Sequence, residues 1–227
     1  MSDNKMILKH PISSRVFHWF LLLSFLPLAA TGLLLFFKPL DQAGMQLSYD
    51  IHMIAGAVMA IDAVAFFIFA FDRVVLFTYR VFAVSKRDIG WMMVAGGYPH
   101  KFFPGIFKTK PNVPEMNKYN TGQRIFGAAV IVGGSVLIIS GLVLWLAPHI
   151  APAGAVYWLG QAHLVFGLLL TAFLPVHLFL AVYFWSDFKA MMSHGKIPYE
   201  DAKHHSPLWV KNEIVPTMTA GEQAAAK

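Results

Sequence analysis

Four stretches of this chain are each about 20 residues long and almost purely apolar, which is the length a helix needs to cross the roughly 30 Å hydrocarbon core of a bilayer. They run from Phe17 to Phe37, Ile51 to Phe71, Ile125 to Ala147 and Ala162 to Trp185. Backbone in lipid must satisfy its own hydrogen bonds, so each stretch reads as a helix. Composition agrees: 57% of the residues are hydrophobic and only 13% charged, against about 25% charged in an ordinary soluble domain. The predicted fold is therefore all-α, an integral membrane four-helix bundle in a single domain.

The connecting segments give the orientation. Lys and Arg number three before Phe17, nine from Asp72 to Arg124 and five after Trp185, against the single Lys38 in the other two connections. Positive charge stays on the cytoplasmic side, so both termini are predicted to be cytoplasmic. This gives an N-terminal segment 1–16, a membrane domain 17–185 with a cytoplasmic loop 72–124, and a C-terminal tail 186–227. The loops around Pro39 to Asp50 and Pro148 to Tyr157 fall outside. The long loop contains Pro99, Pro104, Pro111 and Pro114 and cannot cross as a helix. Val74 to Val84 is expected to continue the second helix into the interface, and Ile89 to Val94 to form a short interfacial helix. A formal charge of +6 could point to nucleic acid, but the basic residues flank apolar runs and form no dense stripe, so no nucleic-acid partner is expected. The first apolar run lacks an Ala-x-Ala cleavage pattern and is read as an uncleaved helix.

With no cysteine in the sequence, the chain itself can hold no disulfide, iron–sulfur cluster or thioether-linked haem. Any redox cofactor has to be bound non-covalently.

Ionisable side chains inside spans are expensive and call for a partner or a function. Four of the ten histidines lie in spans or at their edges: His18, His52, His163 and His177. His163 and His177 are 14 residues apart, which is roughly 21 Å along a helix and within about 40° of a whole number of turns. One face of the fourth helix can thus serve two stacked sites. Given the orientation, depth pairs His52 with His163 in the outer half and His18 with His177 in the inner half. Two imidazoles facing each other between helices suit a six-coordinate haem iron, each binding through Nε2 with Nδ1–H left for a supporting acceptor. Zinc would need carboxylate or thiolate companions to complete a tetrahedral shell, which these histidine pairs lack. Gly32, Gly56, Gly133, Gly134, Gly141 and Gly167 leave room either for a porphyrin face or for close helix packing. Pro175 is expected to distort the fourth helix near His177. Asp62, in mid-span, is open between proton movement, a subunit contact and a hydrogen bond between helices.

The residues resemble a known family, the cytochrome b (gamma) subunits of membrane-bound formate dehydrogenases. The resemblance covers nearly the whole chain. It rests on Arg15-Val16-Phe17-His18-Trp19, on His52 followed by Gly56, and on the run Lys118-Tyr119-Asn120-Thr121-Gly122-Gln123-Arg124. It also rests on His163 and His177 fourteen apart and on Ala202-Lys203-His204-His205 with Trp209. It implies two haems b, an inner one on His18 and His177 and an outer one on His52 and His163. It also implies a quinone site, for menaquinone or ubiquinone, at Asn120, Gly122, Gln123 and His177. The implied partners are an iron–sulfur electron-transfer subunit and a large molybdenum or tungsten catalytic subunit that would itself oxidise formate. The chain would then sit in the bacterial inner (cytoplasmic) membrane as an electron-transfer subunit. Carrying an electron inward against a negative-inside potential conserves about 2.3 kcal/mol per 100 mV. The same module could serve a hydrogenase or another molybdoenzyme such as a thiosulfate or polysulfide reductase. A haem-free membrane anchor or transporter, with the histidines as hydrogen bonders or proton carriers, is the alternative of a different class.

Overall fold

The structure, a computed structural model, describes residues 5–219. In chain order the elements are β1 (Met6–Leu8), α1 (Ile12–Phe37), α2 (Gln42–Phe69), α3 (Phe71–Phe82), α4 (Lys86–Met93), α5 (Tyr98–Phe102), α6 (Thr121–Leu146), α7 (Ala153–Tyr183), α8 (Trp185–Lys189), β2 (Lys196–Pro198), α9 (Tyr199–His205) and α10 (Pro207–Trp209). Single turns of 3-10 or π helix fill Ala95–Gly97, Ala190–His194, Val210–Ile214 and Val215–Thr217. The chain gathers into two compact units. A span unit comprises His10–Val75 and Ala129–Gly195, and a loop-and-tail unit comprises Leu76–Ala128 with the described residues 5–9 and 196–219. The last eight residues of the expected tail lie outside the described residues.

All four expected spans are present as α1, α2, α6 and α7, and each helix extends beyond its apolar core. At 26, 28, 26 and 31 residues they measure roughly 39 to 46 Å, longer than the hydrocarbon core. The extra turns of α1, α2 and α6 carry polar residues, whereas those of α7 are largely apolar and follow Pro152. Asp41 accepts from the Gly44 N–H at 2.9 Å and starts α2 at Gln42, well before Ile51. Likewise α7 begins at Ala153, so Tyr157 and Trp158 are helical rather than in or beside a loop. The expected continuation of the second helix is corrected: backbone at Ala70 leaves the helical region (φ −133°, ψ 38°) and α3 starts afresh at Phe71. There the sequence changes from purely apolar to amphipathic, with Asp72, Arg73 and Arg80 among its apolar residues.

Packing in the span unit is inverted relative to a soluble core, as expected when lipid supplies the solvent for large aliphatic groups. Small and hydroxyl residues such as Ser24, Ala29, Thr31, Ser48, Ala55 and Ser140 are buried, while Ile54, Ile61 and Ile68 on α2 are more than 60% exposed. Contacts run in opposite numerical order along α1 and α2: Phe17 stacks on Phe66 at 4.2 Å between ring centroids, Leu28 faces Gly56 and Thr31 meets His52. These two helices are therefore an antiparallel hairpin. Contacts of Gly133 with Leu170 and Phe166, and of Gly167 with Leu137, show the same for α6 and α7.

In the loop-and-tail unit two short strands pair. β1 and β2 run antiparallel with Met6, Ile7 and Leu8 opposite Pro198, Ile197 and Lys196. The unit also holds a buried ion pair, Asp88 with Arg124, at 2.8 Å to both carboxylate oxygens, with side chains only 4% and 9% exposed. Asp88 also accepts from the Ser85 amide and hydroxyl, closing the capping box of α4, and from the Thr121 hydroxyl. Burial by itself pushes the Asp88 carboxyl up. The Ser85 hydroxyl and amide, the Thr121 hydroxyl and the Arg124 guanidinium outweigh it and hold the group below its ordinary value.

Removing the negative charge with Asp88→Asn leaves Arg124 buried and unneutralised, a change that costs about 3–5 kcal/mol in comparable pairs. Limited proteolysis should then cleave the loop-and-tail segments far faster in the variant than in the parent protein. Because the folded carboxyl titrates below its unfolded value, its contribution is complete above the ordinary carboxylate range and is lost as pH falls through the lowered value. Thermal stability should therefore fall on acidification below about pH 4, and Asp88→Asn should flatten that dependence.

Candidate functional site

The four histidines meet in the two pairs that depth assigned, both within the span unit. His52 on α2 and His163 on α7 have ring centroids 6.2 Å apart at 65°. His18 on α1 and His177 on α7 lie at 6.5 Å and 53°. All four are half-buried. α7 runs unbroken from Ala153 to Tyr183, with Pro175 inside it, so the two pairs are separated by roughly 21 Å along its axis.

The His52–His163 pair is held by two side chains that the sequence reading did not single out. Thr31 Oγ1 on α1 lies 2.9 Å from His52 Nδ1, and Ser140 Oγ on α6 lies 2.9 Å from His163 Nδ1. Each hydroxyl also bonds the carbonyl four residues back in its own helix, Pro27 at 2.7 Å and Val136 at 2.5 Å. A carbonyl has no hydrogen to give, so the single hydroxyl hydrogen goes to it. The imidazole must then be the donor in the other bond. Both rings are thereby fixed as Nδ1–H tautomers, with the Nε2 lone pair left for a metal. Beside them the glycines following the hydroxyls keep the space open: a Cβ on Gly141 would sit 3.1 Å from His163 Cε1, and one on Gly32 3.5 Å from His52 Cε1. Of the six glycines considered for porphyrin room, these two lie against the imidazoles, while Gly133 packs on Leu170 and Phe166.

The His18–His177 pair is supported differently. His18 Nδ1 is buried and, among the described residues, has no hydrogen-bond partner; the same holds for Arg15 Nε one turn earlier on α1 and for Asp62 Oδ2 on α2. A hydrogen bond between helices through that oxygen of Asp62, one of the options its sequence position left open, is not made among these residues.

Asn120 and Gln123, predicted to face a quinone, form a reciprocal capping box at the start of α6. Asn120 Oδ1 accepts from the Gln123 N–H at 2.9 Å, and Gln123 Oε1 accepts from the Asn120 N–H at 3.0 Å. Both acceptor oxygens are engaged with backbone, and the amide NH2 groups remain as donors. Gly122 lies against Trp91, where a Cβ would come within 3.0 Å.

An iron held on both sides at roughly 2 Å from imidazole nitrogen places the two ring centroids roughly 6.3 Å apart. The observed 6.2 and 6.5 Å fit that arrangement. Among the described residues no three His, Cys, Asp or Glu side chains gather as a metal cluster. A two-imidazole set matches a metal whose remaining ligands come from a macrocycle, and haem b held by such a pair would supply one-electron transfer.

The prokaryotic cytochrome b561 family matches residues 9–194 of the chain. Over 218 residues the chain is 25% identical to the cytochrome b556(Fdn) subunit of nitrate-inducible formate dehydrogenase from Escherichia coli (strain K12), covering 93% of each sequence. It is 23% identical over 221 residues to the formate dehydrogenase cytochrome b556 subunit of Haemophilus influenzae, covering 95% of this chain and 87% of that one. With the cytochrome b556(fdo) subunit of Escherichia coli (strain K12) formate dehydrogenase it shares 25% identity over 221 residues, 93% and 95% of the two chains. Cytochromes b of this kind bind haem and transport electrons, and the four apolar helices make the protein a multi-pass membrane protein.

Gly141→Ala should disturb bound haem, because His163 is pinned by Ser140 and cannot retreat from a contact of 3.1 Å. Gly32→Ala, with an ordinary 3.5 Å contact, should leave the reduced haem spectrum as in the parent protein. Visible and electron paramagnetic resonance spectra of the two purified variants test the contrast.

Proposed function

The chain belongs to the prokaryotic cytochrome b561 family, and from that premise we propose that it is a dihaem subunit passing electrons across the bacterial inner membrane to a quinone. Most simply it serves a formate dehydrogenase, as its relatives' names say of them. The observation that carries the reading is the pair of imidazole gaps, 6.2 Å and 6.5 Å between ring centroids, set at two depths on one continuous helix.

In this reading His52 and His163 hold the outer haem and His18 and His177 the inner one. The protein binds both, aims each Nε2 at an iron and keeps the sites dry with the surrounding aliphatic side chains. A haem b held by His52 and His163, and one held by His18 and His177, would supply one-electron transfer. Both termini and residues 72–124 lie in the cytoplasm, as the distribution of Lys and Arg supports. The electron source is an iron–sulfur subunit on the outer side, fed by a molybdenum or tungsten catalytic subunit. The acceptor is menaquinone or ubiquinone. Asn120, Gly122, Gln123 and His177 are assigned to the quinone through the family resemblance. What the Asn120–Gln123 loop offers chemically is two amide NH2 donors beside the positive N-terminus of α6, suited to a carbonyl oxygen that gains negative charge on reduction.

Pyridine haemochrome quantification should give two haems b per chain, and a haem-free protein would end the reading. His18→Ala and His177→Ala should each lose one spectral component, and His52→Ala and His163→Ala the other. Asn120→Ala should slow quinone reduction while leaving both spectral components in place.

A further inference from the structure

The hydroxyls that hold the outer imidazoles occupy matched places in the sequence. Leu28-Ala29-Ala30-Thr31-Gly32 on α1 and Leu137-Ile138-Ile139-Ser140-Gly141 on α6 share the pattern Leu-x-x-(Thr/Ser)-Gly. The histidine that each serves follows on the next helix, 21 and 23 residues after the hydroxyl. In both copies the hydroxyl receives the imidazole N–H and donates to the carbonyl four residues back, and the glycine leaves the ring its place. The outer site is thus assembled from two like half-sites, each a helix hairpin. Nothing comparable supports His18, whose Nδ1 is buried without a partner among the described residues.

We propose that Thr31 and Ser140 are positioning residues that set the redox balance of the chain: by accepting the Nδ1–H of His52 and His163 they lower the reduction potential of the outer haem relative to the inner one. The proposal rests on the reading that a haem iron lies between His52 and His163. An imidazole that donates into a chain of hydrogen bonds is a stronger electron donor through its other nitrogen, and the chain imidazole to hydroxyl to carbonyl polarises along its length. A more donating ligand favours the ferric charge over the ferrous one. Two such ligands on the outer side make an electron less stable there than at a site where at least one ligand lacks this support. Only the electron's preference between the two depths changes; the Nδ1 hydrogens stay in place. The direction of flow from outside to inside is then written into α1 and α6 by two hydroxyl groups that touch no substrate.

The test uses the purified full-length protein with its haems, in Thr31→Val, Ser140→Ala, the double variant and the conservative Thr31→Ser. His52→Ala first identifies which spectral component is the outer haem. Spectroelectrochemical titration should show that each single variant shifts the reduced-to-oxidised ratio of that component about tenfold toward reduced at a fixed potential, which is about 59 mV for a one-electron couple. The inner component should keep its midpoint, the affinity for the outer haem should fall by about 10–100-fold, and Thr31→Ser should restore both properties. An unchanged outer midpoint in the double variant overturns the proposal, as does an equal shift of both components or a failure of Thr31→Ser to restore. If His52→Ala removes no haem component, the ligand assignment itself fails and takes the proposal with it; that outcome is visible before any hydroxyl variant is measured.

Discussion

An imidazole inside a helix that faces hydrocarbon must have its hydrogen accepted and its lone pair occupied, since neither can be left to water. The span unit meets it for the hydrogens of His52 and His163 and leaves His18 Nδ1 without an acceptor among the described residues. At His52 and His163 the hydrogen is accepted by a hydroxyl whose own hydrogen is already committed to the backbone, so one requirement settles the other. Small residues follow from the same demand: a hydroxyl can reach an imidazole on a neighbouring helix only where the helices approach closely, and Gly32 and Gly141 lie at those approaches. The large aliphatic groups displaced from the interior face outward, where lipid is as good a solvent for them as any core.

The helices divide the work unequally. α7 carries one histidine of each pair, and its continuity through Pro175 fixes the axial separation of the two sites. α1 carries His18 at one depth and Thr31 at the other, so a single helix contributes an imidazole to one pair and a hydroxyl to the second. α2 contributes His52. α6 contributes no histidine at all, yet through Ser140 it determines which nitrogen of His163 faces the gap. A helix that looks like filler in a list of ligands is thereby part of the site.

The spans and the histidine pairs were legible in the sequence because both depend on spacing alone: about 20 apolar residues per crossing, and 14 residues between His163 and His177. Helix ends were less so. Apolar windows stop where lipid stops, whereas α2 and α7 continue through turns that Asp41 caps or that follow Pro152. Thr31 and Ser140 were missed because a hydroxyl in a transmembrane helix ordinarily satisfies itself on the carbonyl a turn back, as these two do, and nothing in one copy marks the second bond. The signal was the repetition of Leu-x-x-(Thr/Ser)-Gly in two helices, each followed by a histidine about 20 residues later. The ion pair of Asp88 and Arg124 was out of reach for another reason: its partners are 36 residues apart on segments whose polarity reads as ordinary loop.

The run Lys118 to Arg124 shows how a strong resemblance and a functional role can diverge. Lys118 donates to the Lys9 carbonyl at 2.7 Å and lies over the Trp209 ring at 5.1 Å. Tyr119 meets Phe77 edge-on, Thr121 and Arg124 bind Asp88, Gly122 fits against Trp91, and Asn120 and Gln123 cap the helix that follows. Every side chain of the run is thus engaged in folding its own unit. These contacts alone would require most of these residue types at this spacing. What they do not require is an amide at both ends of the capping box, since Ser or Thr with Glu would close it as well. The NH2 groups of Asn120 and Gln123 are the part of the motif that folding leaves over, and they are donors. It is on those two groups, rather than on the run as a whole, that a quinone function for this loop has to stand.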